Sequence, residues 1–250
     1  MAYVRSSDPI SNIEPDEGSE VDNDSAFNGS AIAFLRLGSA SYQTSISSSV
    51  KNYKYENGRR YHAFREGEYV LPNDEEEQDR MDLGHHIYLL LLKGKLYRAP
   101  LPPNPQRVLD LGTGTGIWAI DFAEVPANCV FEVDDYESPW PYSQNFDFIH
   151  GRELLGFVGD FDRLFAQAMK NLKPGGYLEM QTAEAQAFSD DGTMEKAVNC
   201  LKWVAELRGA SEKFGKSMSC VDTWEERMRN AGFVDVTRDV FKVRNMFFFS

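Results

Sequence analysis

The stretch that decides the fold is RVLDLGTGTGIWAIDFAE, residues 107–124. Its first residues are mostly apolar and predict a short buried strand over residues 108–111. Three glycines follow, Gly112, Gly114 and Gly116. Glycine permits positive φ angles and removes Cβ atoms where a ligand approaches the backbone. Because an apolar run that predicts a helix over residues 117–124 comes next, the stretch indicates a ligand site at the carboxyl end of a strand in an open α/β sheet.

The spacing of the glycines narrows the kind of ligand. A dinucleotide loop reads GxGxxG, whereas this loop reads GxGxG, and no GK[ST] follows it as in a phosphate-binding P-loop. Asp110 lies on the strand, two residues before the first glycine. A carboxylate at that place would repel a phosphate, and it would instead fix loop amides or an amino group of the ligand. Taken alone, the loop is also compatible with a purely structural turn.

Strands and helices alternate along the rest of the chain, which predicts an α/β fold with a mainly parallel sheet. Further strands are predicted over residues 129–135, 146–151, 177–181 and 233–243. Helices are predicted over residues 74–93, 160–172, 193–208 and 222–231. Asn73 or Asp74 would cap the first of these helices, and Asn57-Gly58 predicts a turn.

The glycine loop and its acid resemble motif I, E/D-x-G-x-G-x-G, of class I S-adenosylmethionine-dependent methyltransferases. Three later segments resemble further elements of that superfamily in the same order: VDD at 133–135, FDFIHGRELLG at 146–156 and LKPGGYLEMQ at 172–181. With ENGRRYHAF and the DEEEQDRMDLGHH helix, the set resembles the fungal methyltransferase family that includes the LaeA-type regulators of secondary metabolism. The resemblance covers residues 53–243. It implies a Rossmann-like methyltransferase sheet with helices on both faces and an N-terminal helical cover.

The resemblance also implies a cofactor, S-adenosyl-L-methionine, and the residues that would hold it. Those residues are Asp110, Gly112, Thr113, Gly114, Gly116, Asp134 and Asp135. Either Asp134 or Asp135 would meet the adenine amine, and either is also compatible with a plain turn acid. The catalytic residue stays unknown, with His150 and Arg152 at the end of the fourth strand as candidates. His150 would act as a general base or as a structural histidine.

No metal site is expected. His85 and His86 are neighbours on the first predicted helix, so their rings diverge and cannot share an ion. The three cysteines lie far apart in the sequence and include no CxxC pair, which predicts reduced thiols rather than a zinc site or a disulfide framework.

Two segments are shorter than the resemblance implies. Only sixteen residues, 117–132, separate the glycine loop from Val133, too few for a helix, a strand and a crossover. The usual second strand and its ribose-binding acid are therefore expected to be missing. Asp121 and Glu124 are expected to be solvated helix residues, with substitution for the missing acid by either of them as the alternative. The sequence ends RNMFFFS where the family continues with a further strand region. Alternative splicing or a misread exon boundary would produce both features, and the transcript sequence tests this hypothesis.

Composition and charge indicate how the chain is divided into segments and which kinds of partner are excluded. Residues 1–52 are acidic and serine-rich, which predicts a disordered tail; residues 53–103 are the predicted helical cover and residues 104–250 the shortened methyltransferase domain. The net charge of −13 argues against direct binding to nucleic acid or an anionic membrane. No secretory signal or membrane-spanning stretch is apparent, so an intracellular location, cytoplasmic or nuclear, is expected.

Two classes of function follow from these observations. The first is methyl transfer to a small-molecule or protein acceptor, in secondary metabolism or in its regulation. The second is a catalytically weakened relative that acts as a binding or regulatory protein with a protein partner. Motif I favours the first class, and the missing ribose acid and shortened end favour the second. A dinucleotide oxidoreductase is disfavoured by the glycine spacing.

Overall fold

The computed structural model describes residues 2–5, 53–62, 69–123, 129–132, 134–184, 186 and 189–243. In these ranges the strands are β1 (Ala2–Arg5), β2 (Lys54–Glu56), β3 (Arg59–Tyr61), β4 (Arg107–Leu111), β5 (Cys129–Phe131), β6 (Phe146–Arg152) and β7 (Leu172–Gln181). The α-helices are α1 (Glu75–Leu91), α2 (Ile117–Ala123), α3 (Phe161–Asn171), α4 (Val198–Phe214) and α5 (Trp224–Asn230). Short 3-10 turns precede α4 and α5, at Thr193–Lys196 and Val221–Thr223.

Five strands form one sheet in the order β5-β1-β4-β6-β7. Strands β4, β6 and β7 run parallel, and their register places Asp110 beside His150 and His150 beside Glu179. The carboxyl ends of these strands therefore lie side by side, next to the glycine loop. This arrangement confirms the predicted α/β fold with a parallel sheet at its centre.

Strand β1 is the feature that the sequence did not reveal. It lies between β4 and β5 and runs antiparallel to both, with Ala2 paired to Asp110 on one side and to Phe131 on the other. The prediction of a disordered tail over residues 1–52 is therefore wrong for Ala2–Arg5, and the remainder of that range lies outside the described residues. Strands β4 and β5 are both antiparallel to β1 and therefore parallel to each other, and among the described residues only α2 lies between them in sequence. A segment distant in sequence therefore fills the gap between them and satisfies the hydrogen-bonding groups of both strands.

The centre of the sheet is covered on both faces, so the apolar side chains of β4 and β6 are buried on either side of it. On one face, Leu109 and Ile149 pack with Phe165 of α3 and Trp224 of α5. On the other face, Val108 and Phe148 pack with Trp118 of α2. Neighbouring residues of one strand thus enter opposite layers, as the two-residue period of a strand requires.

The predicted cover is a hairpin followed by a helix. Asn57 and Gly58 both have positive φ angles, 51° and 78°, which form the expected tight turn between β2 and β3. Asp74 caps α1 by accepting a hydrogen bond from the Glu77 amide. The same carboxylate receives two bonds from the Arg59 guanidinium, at 2.6 and 2.8 Å, which joins the hairpin to the start of the helix.

The prediction of a strand over residues 233–243 is wrong. No described residue of this segment pairs with a strand, and Val234 and Val240 are 83% and 75% exposed. Alternating apolar residues form a strand only where a neighbouring edge accepts them. Ion pairs hold the segment instead, such as that of Arg238 with Asp222 at 2.6 Å. Residues 244–250, on which the expectation of a shortened end also depends, lie outside the described residues.

Candidate functional site

The glycine loop has the backbone that its sequence predicts. Gly112, Gly114 and Gly116 have φ angles of 64°, 60° and 84°, a region that residues with a side chain rarely adopt. A Cβ on Gly116 would lie 2.7 Å from Cε1 of Phe131, and one on Gly112 would lie 2.5 Å from Cδ2 of Leu154. The Thr113 hydroxyl donates to the Asp110 carbonyl at 3.2 Å, which closes the turn. The loop thus packs against Phe131 and Leu154. Its residues line a cavity that is also bordered by α1 and by the carboxyl ends of β6 and β7.

Asp110 and His150 form a buried pair beneath this loop. Oδ1 of Asp110 lies 2.7 Å from Nδ1 of His150, and both side chains are almost fully buried. The indole of Trp118 stacks on the imidazole, with ring centroids 3.8 Å apart and planes at 4°. Nδ1 donates to the Asp110 carboxylate, and Nε2 has no hydrogen-bond partner among the described residues. The imidazole, a predicted candidate for the general base, is thus held in the core by Asp110 and Trp118 with one ring nitrogen unpaired.

The two acids predicted for adenine differ in their surroundings. Asp134 is exposed and lines the cavity. The carboxylate of Asp135 accepts hydrogen bonds from the Glu137 amide and the Ser138 hydroxyl, at 2.9 and 2.6 Å. Asp135 thus has the contacts of a turn acid, whereas Asp134 accepts a hydrogen bond from the Asp135 amide at 2.8 Å and is exposed at the cavity.

Helix α1 lies directly over the glycine loop. Oδ1 of Asp82 accepts a hydrogen bond from the Thr115 hydroxyl at 2.6 Å, and a Cβ on Gly114 would meet the sulfur of Met81 at 3.2 Å. One turn later, Nε2 of His85 lies 3.0 Å from Oδ2 of Asp121 on α2. Asp121 is therefore bonded to the cover rather than only solvated, and Glu124 lies outside the described residues. Asp82 was not predicted as a site residue, although its position next to Met81 on the predicted helix was a usable signal.

Arg152, a candidate catalytic residue, instead joins the cover to the sheet. Its guanidinium donates to Oε1 of Gln181 at 2.8 Å and to Nδ1 of His85 at 3.0 Å, and it lies 4.5 Å from the centre of the Tyr88 ring. No described carboxylate forms a salt bridge with it, and burial lowers its pKa. Its contacts are those of a positioning residue.

The contacts of His85 fix its protonation state. Arginine can only donate hydrogen bonds, so Nδ1 of His85 must accept with its lone pair. Nε2 therefore carries the proton and donates a hydrogen bond to Asp121. His85 is 5% exposed, and burial, helped by the charge of Arg152, lowers its pKa despite the opposing effect of Asp121. Neutral His85 is thus the form that links α1, α2 and β6.

We predict that acid weakens this link. Since the pKa of His85 is lower in the folded chain than the ordinary value of about 6.5, its contribution to stability is complete above that value and is lost as the pH falls below it. Thermal unfolding between pH 7.5 and 5.5 would show a falling midpoint. In His85→Gln, whose amide can accept from Arg152 and donate to Asp121, the fall should be smaller. An equal fall in both proteins would contradict the assignment, because His62, a half-buried histidine whose pKa is also lowered, is present in both.

Comparison with known proteins identifies the family. The methyltransferase domain family matches residues 83–238, which include the glycine loop, the Asp110–His150 pair and most of α1. The chain belongs to this methyltransferase family. Methyltransferase pytC of Aspergillus terreus is 39% identical over 220 residues, which cover 80% of this chain and 68% of that protein. The secondary metabolism regulator LAE1 of Cochliobolus heterostrophus is 35% identical over 213 residues, which cover 75% of this chain and 69% of that one.

A solved structure of an S-adenosylmethionine-dependent methyltransferase from Thermotoga maritima is also similar. It aligns with a TM-score of 0.43 at 22% identity, over 64% of this chain and 77% of that one. The family assignment confirms the predicted resemblance to fungal LaeA-type methyltransferases and the predicted cofactor, S-adenosyl-L-methionine.

The residues present at the loop fit this cofactor. The glycine backbone leaves space that side chains would fill, Nε2 of His150 has no hydrogen-bond partner among the described residues, and Asp134 is exposed at the cavity. Among the described residues, no cluster of three or more His, Cys, Asp or Glu side chains is placed to hold a metal ion. No helix in the described ranges is long and apolar enough to span a membrane.

Proposed function

We propose that this methyltransferase binds S-adenosylmethionine at the glycine loop and methylates a small-molecule acceptor in the cavity beneath α1. The single observation that supports this best is the position of the loop at the carboxyl end of β4, with three positive-φ glycines and an open cavity beside it. Open α/β sheets bind their ligands at this edge. A protein acceptor is the alternative within the same reaction.

The predicted site residues would contact different groups of the cofactor. The cofactor supplies an electrophilic methyl group when bound. The amides of Gly112, Thr113 and Gly114 would line its methionine end, with Asp110 and His150 beneath them as acceptors for an ammonium group. Gly116 permits the loop to enter α2, and Asp134 would accept from the adenine amine. Methyl transfer depends mainly on alignment and on the exclusion of water, and helix α1 covers the loop to provide both.

The acceptor class can be tested with a labelled donor. The purified chain would be incubated with tritiated S-adenosylmethionine and a fungal extract separated into small-molecule and protein fractions. We expect label in the small-molecule fraction, and none there with Gly116→Ala, whose loop is disrupted. Label confined to proteins would contradict the small-molecule proposal and leave methyl transfer itself supported.

The second candidate function is a regulatory protein with weakened catalysis. The observation that favours it is the place of β1, because an antiparallel strand occupies the position where a parallel strand would end in a ribose-binding acid. The loss of a charged hydrogen bond costs about 1.5–3 kcal/mol.

We also propose an intracellular location, cytoplasmic or nuclear, without direct contact to nucleic acid or membrane. The support is the net charge of −13, since a strongly acidic chain is repelled by phosphate surfaces. Microscopy of a fluorescent fusion would test the location, and secretion would contradict it.

A further inference from the structure

Glu153 is held in an unusual backbone conformation at the cavity. It follows β6 directly and has a φ angle of 54°, in the left-handed region that disfavours residues with a Cβ. Its amide donates to the carbonyl of Gln181 at 2.8 Å, which ties the end of β6 to the end of β7. Residues held in sparsely populated conformations occur often at functional sites, where the strain aims a side chain.

The Glu153 carboxylate has one oxygen engaged and one open. Oε1 accepts hydrogen bonds from the Tyr88 hydroxyl and from the Ala183 amide, the latter at 2.9 Å. Oε2 receives no hydrogen bond from any described residue, and Glu153 lies on the cavity wall with Tyr88. Two donors on one oxygen fix the plane of the group, so the second oxygen points in a defined direction.

The charged groups around Glu153 are engaged elsewhere. Arg152 is bonded to Gln181 and His85, and Arg80 of α1 forms a salt bridge with Glu77 at 2.6 Å. No described cation forms a salt bridge with Glu153. Desolvation raises the pKa of Glu153, although the hydrogen bonds it accepts and the charges of Arg152 and Arg80 oppose this. Desolvation also raises the pKa of Tyr88, so the phenol remains a neutral donor. A carboxylate with a raised pKa and no cation partner is suited to accept a proton.

We propose that Oε2 of Glu153 is the general base of the acceptor subsite, and that the acceptor is a protic nucleophile, a hydroxyl or an amine. This inference rests on the proposed function. The acceptor heteroatom forms a bond to the methyl carbon, and the carbon–sulfur bond breaks with its electron pair moving to sulfur. The proton of the acceptor O–H or N–H moves to Oε2 and then to water in the cavity. A carboxylate acceptor is disfavoured, since it has no proton to give and would be repelled.

The substitution Glu153→Gln tests this, because it keeps the shape and removes the base. Glu184→Gln is the matched control: Glu184 lines the same cavity but pairs with Arg238 at 3.8 Å. Thermal unfolding and calorimetry with S-adenosylhomocysteine come first. If the wild-type chain does not bind S-adenosylhomocysteine, the proposed function fails. If all three proteins bind it with similar affinity, the acceptor step can be tested separately.

The probes are 4-fluorophenol, 4-fluorobenzylamine and 4-fluorobenzoate, with methyl transfer and binding followed by fluorine NMR. We expect transfer to the phenol or the amine, and the responding probe identifies which nucleophile is used. Glu153→Gln should lower that rate on the order of 100-fold and abolish the acidic limb of the pH–rate profile, with Glu184→Gln unchanged. Where turnover is too slow to measure, loss of probe binding in Glu153→Gln alone would support the subsite. Equal rates in all three proteins would overturn it, as would equal probe binding where turnover is too slow to measure. Preference for the benzoate, or no binding of any probe to the wild-type chain, would also overturn it.

Discussion

Removal of Ala2–Arg5 is expected to unfold much of the sheet. These residues pair with four residues of β4 and three of β5, so their loss leaves two buried strand edges without partners. At about 0.5–1.5 kcal/mol for each net hydrogen bond, the loss is on the order of 4 kcal/mol. That is a large fraction of the roughly 5–15 kcal/mol that stabilises a typical domain.

A single substitution tests the same pairing with less disturbance. Val4 lies opposite Val108 and Cys129, so its amide must donate to one of the two neighbouring strands. Val4→Pro removes that donor and should lower the urea midpoint markedly. Hydrogen exchange should then accelerate in β4 and β5. Val4→Ala, which keeps the backbone amide, is the control and should lower the midpoint far less. A Val4→Pro protein as stable as the wild type would show that β1 is not required for the sheet.

The second large effect is expected at the end of the glycine loop. In Gly116→Ala, the new Cβ would lie 2.7 Å from the Phe131 ring, and the φ angle of 84° is strained for any residue with a side chain. The strain alone costs about 1–3 kcal/mol, and relief of the clash would shift the loop. We expect S-adenosylmethionine affinity to fall at least 100-fold, measured by calorimetry.

The matched control for that substitution is Gly209→Ala. Gly209 lies within α4, and a Cβ there meets no atom within 4 Å. Alanine should stabilise the helix by roughly 0.5–1 kcal/mol and leave cofactor affinity unchanged. If Gly116→Ala binds the cofactor within threefold of the wild type, the loop does not hold it in the manner proposed.

The sequence was informative where structure depends on local pattern. The apolar run before the glycines, the Asp74 cap and the turn at Asn57-Gly58 each depend on residues close to one another, and each is present in the fold. Helix α3 agrees with its prediction within a residue at each end.

The sequence was uninformative where structure depends on distant pairing. Nothing in the short segment AYVR predicts that Ala2 pairs with Asp110, more than a hundred residues away. The same holds for the bond between Asp110 and His150, which depends on the register of β4 against β6. The exposed segment over residues 233–243 shows the converse, since an alternating pattern without a partner edge stays irregular.

Calorimetric titration of the folded, purified chain with S-adenosylmethionine tests the central claim most directly. The glycine loop, the Asp110–His150 pair and Asp134 predict one site per chain with micromolar affinity, about −8 kcal/mol. The missing ribose acid would keep the affinity from being tighter. Micromolar binding that is lost in Gly116→Ala and retained in Gly209→Ala is the predicted result. The absence of binding by a protein that circular dichroism shows to be folded would contradict the account.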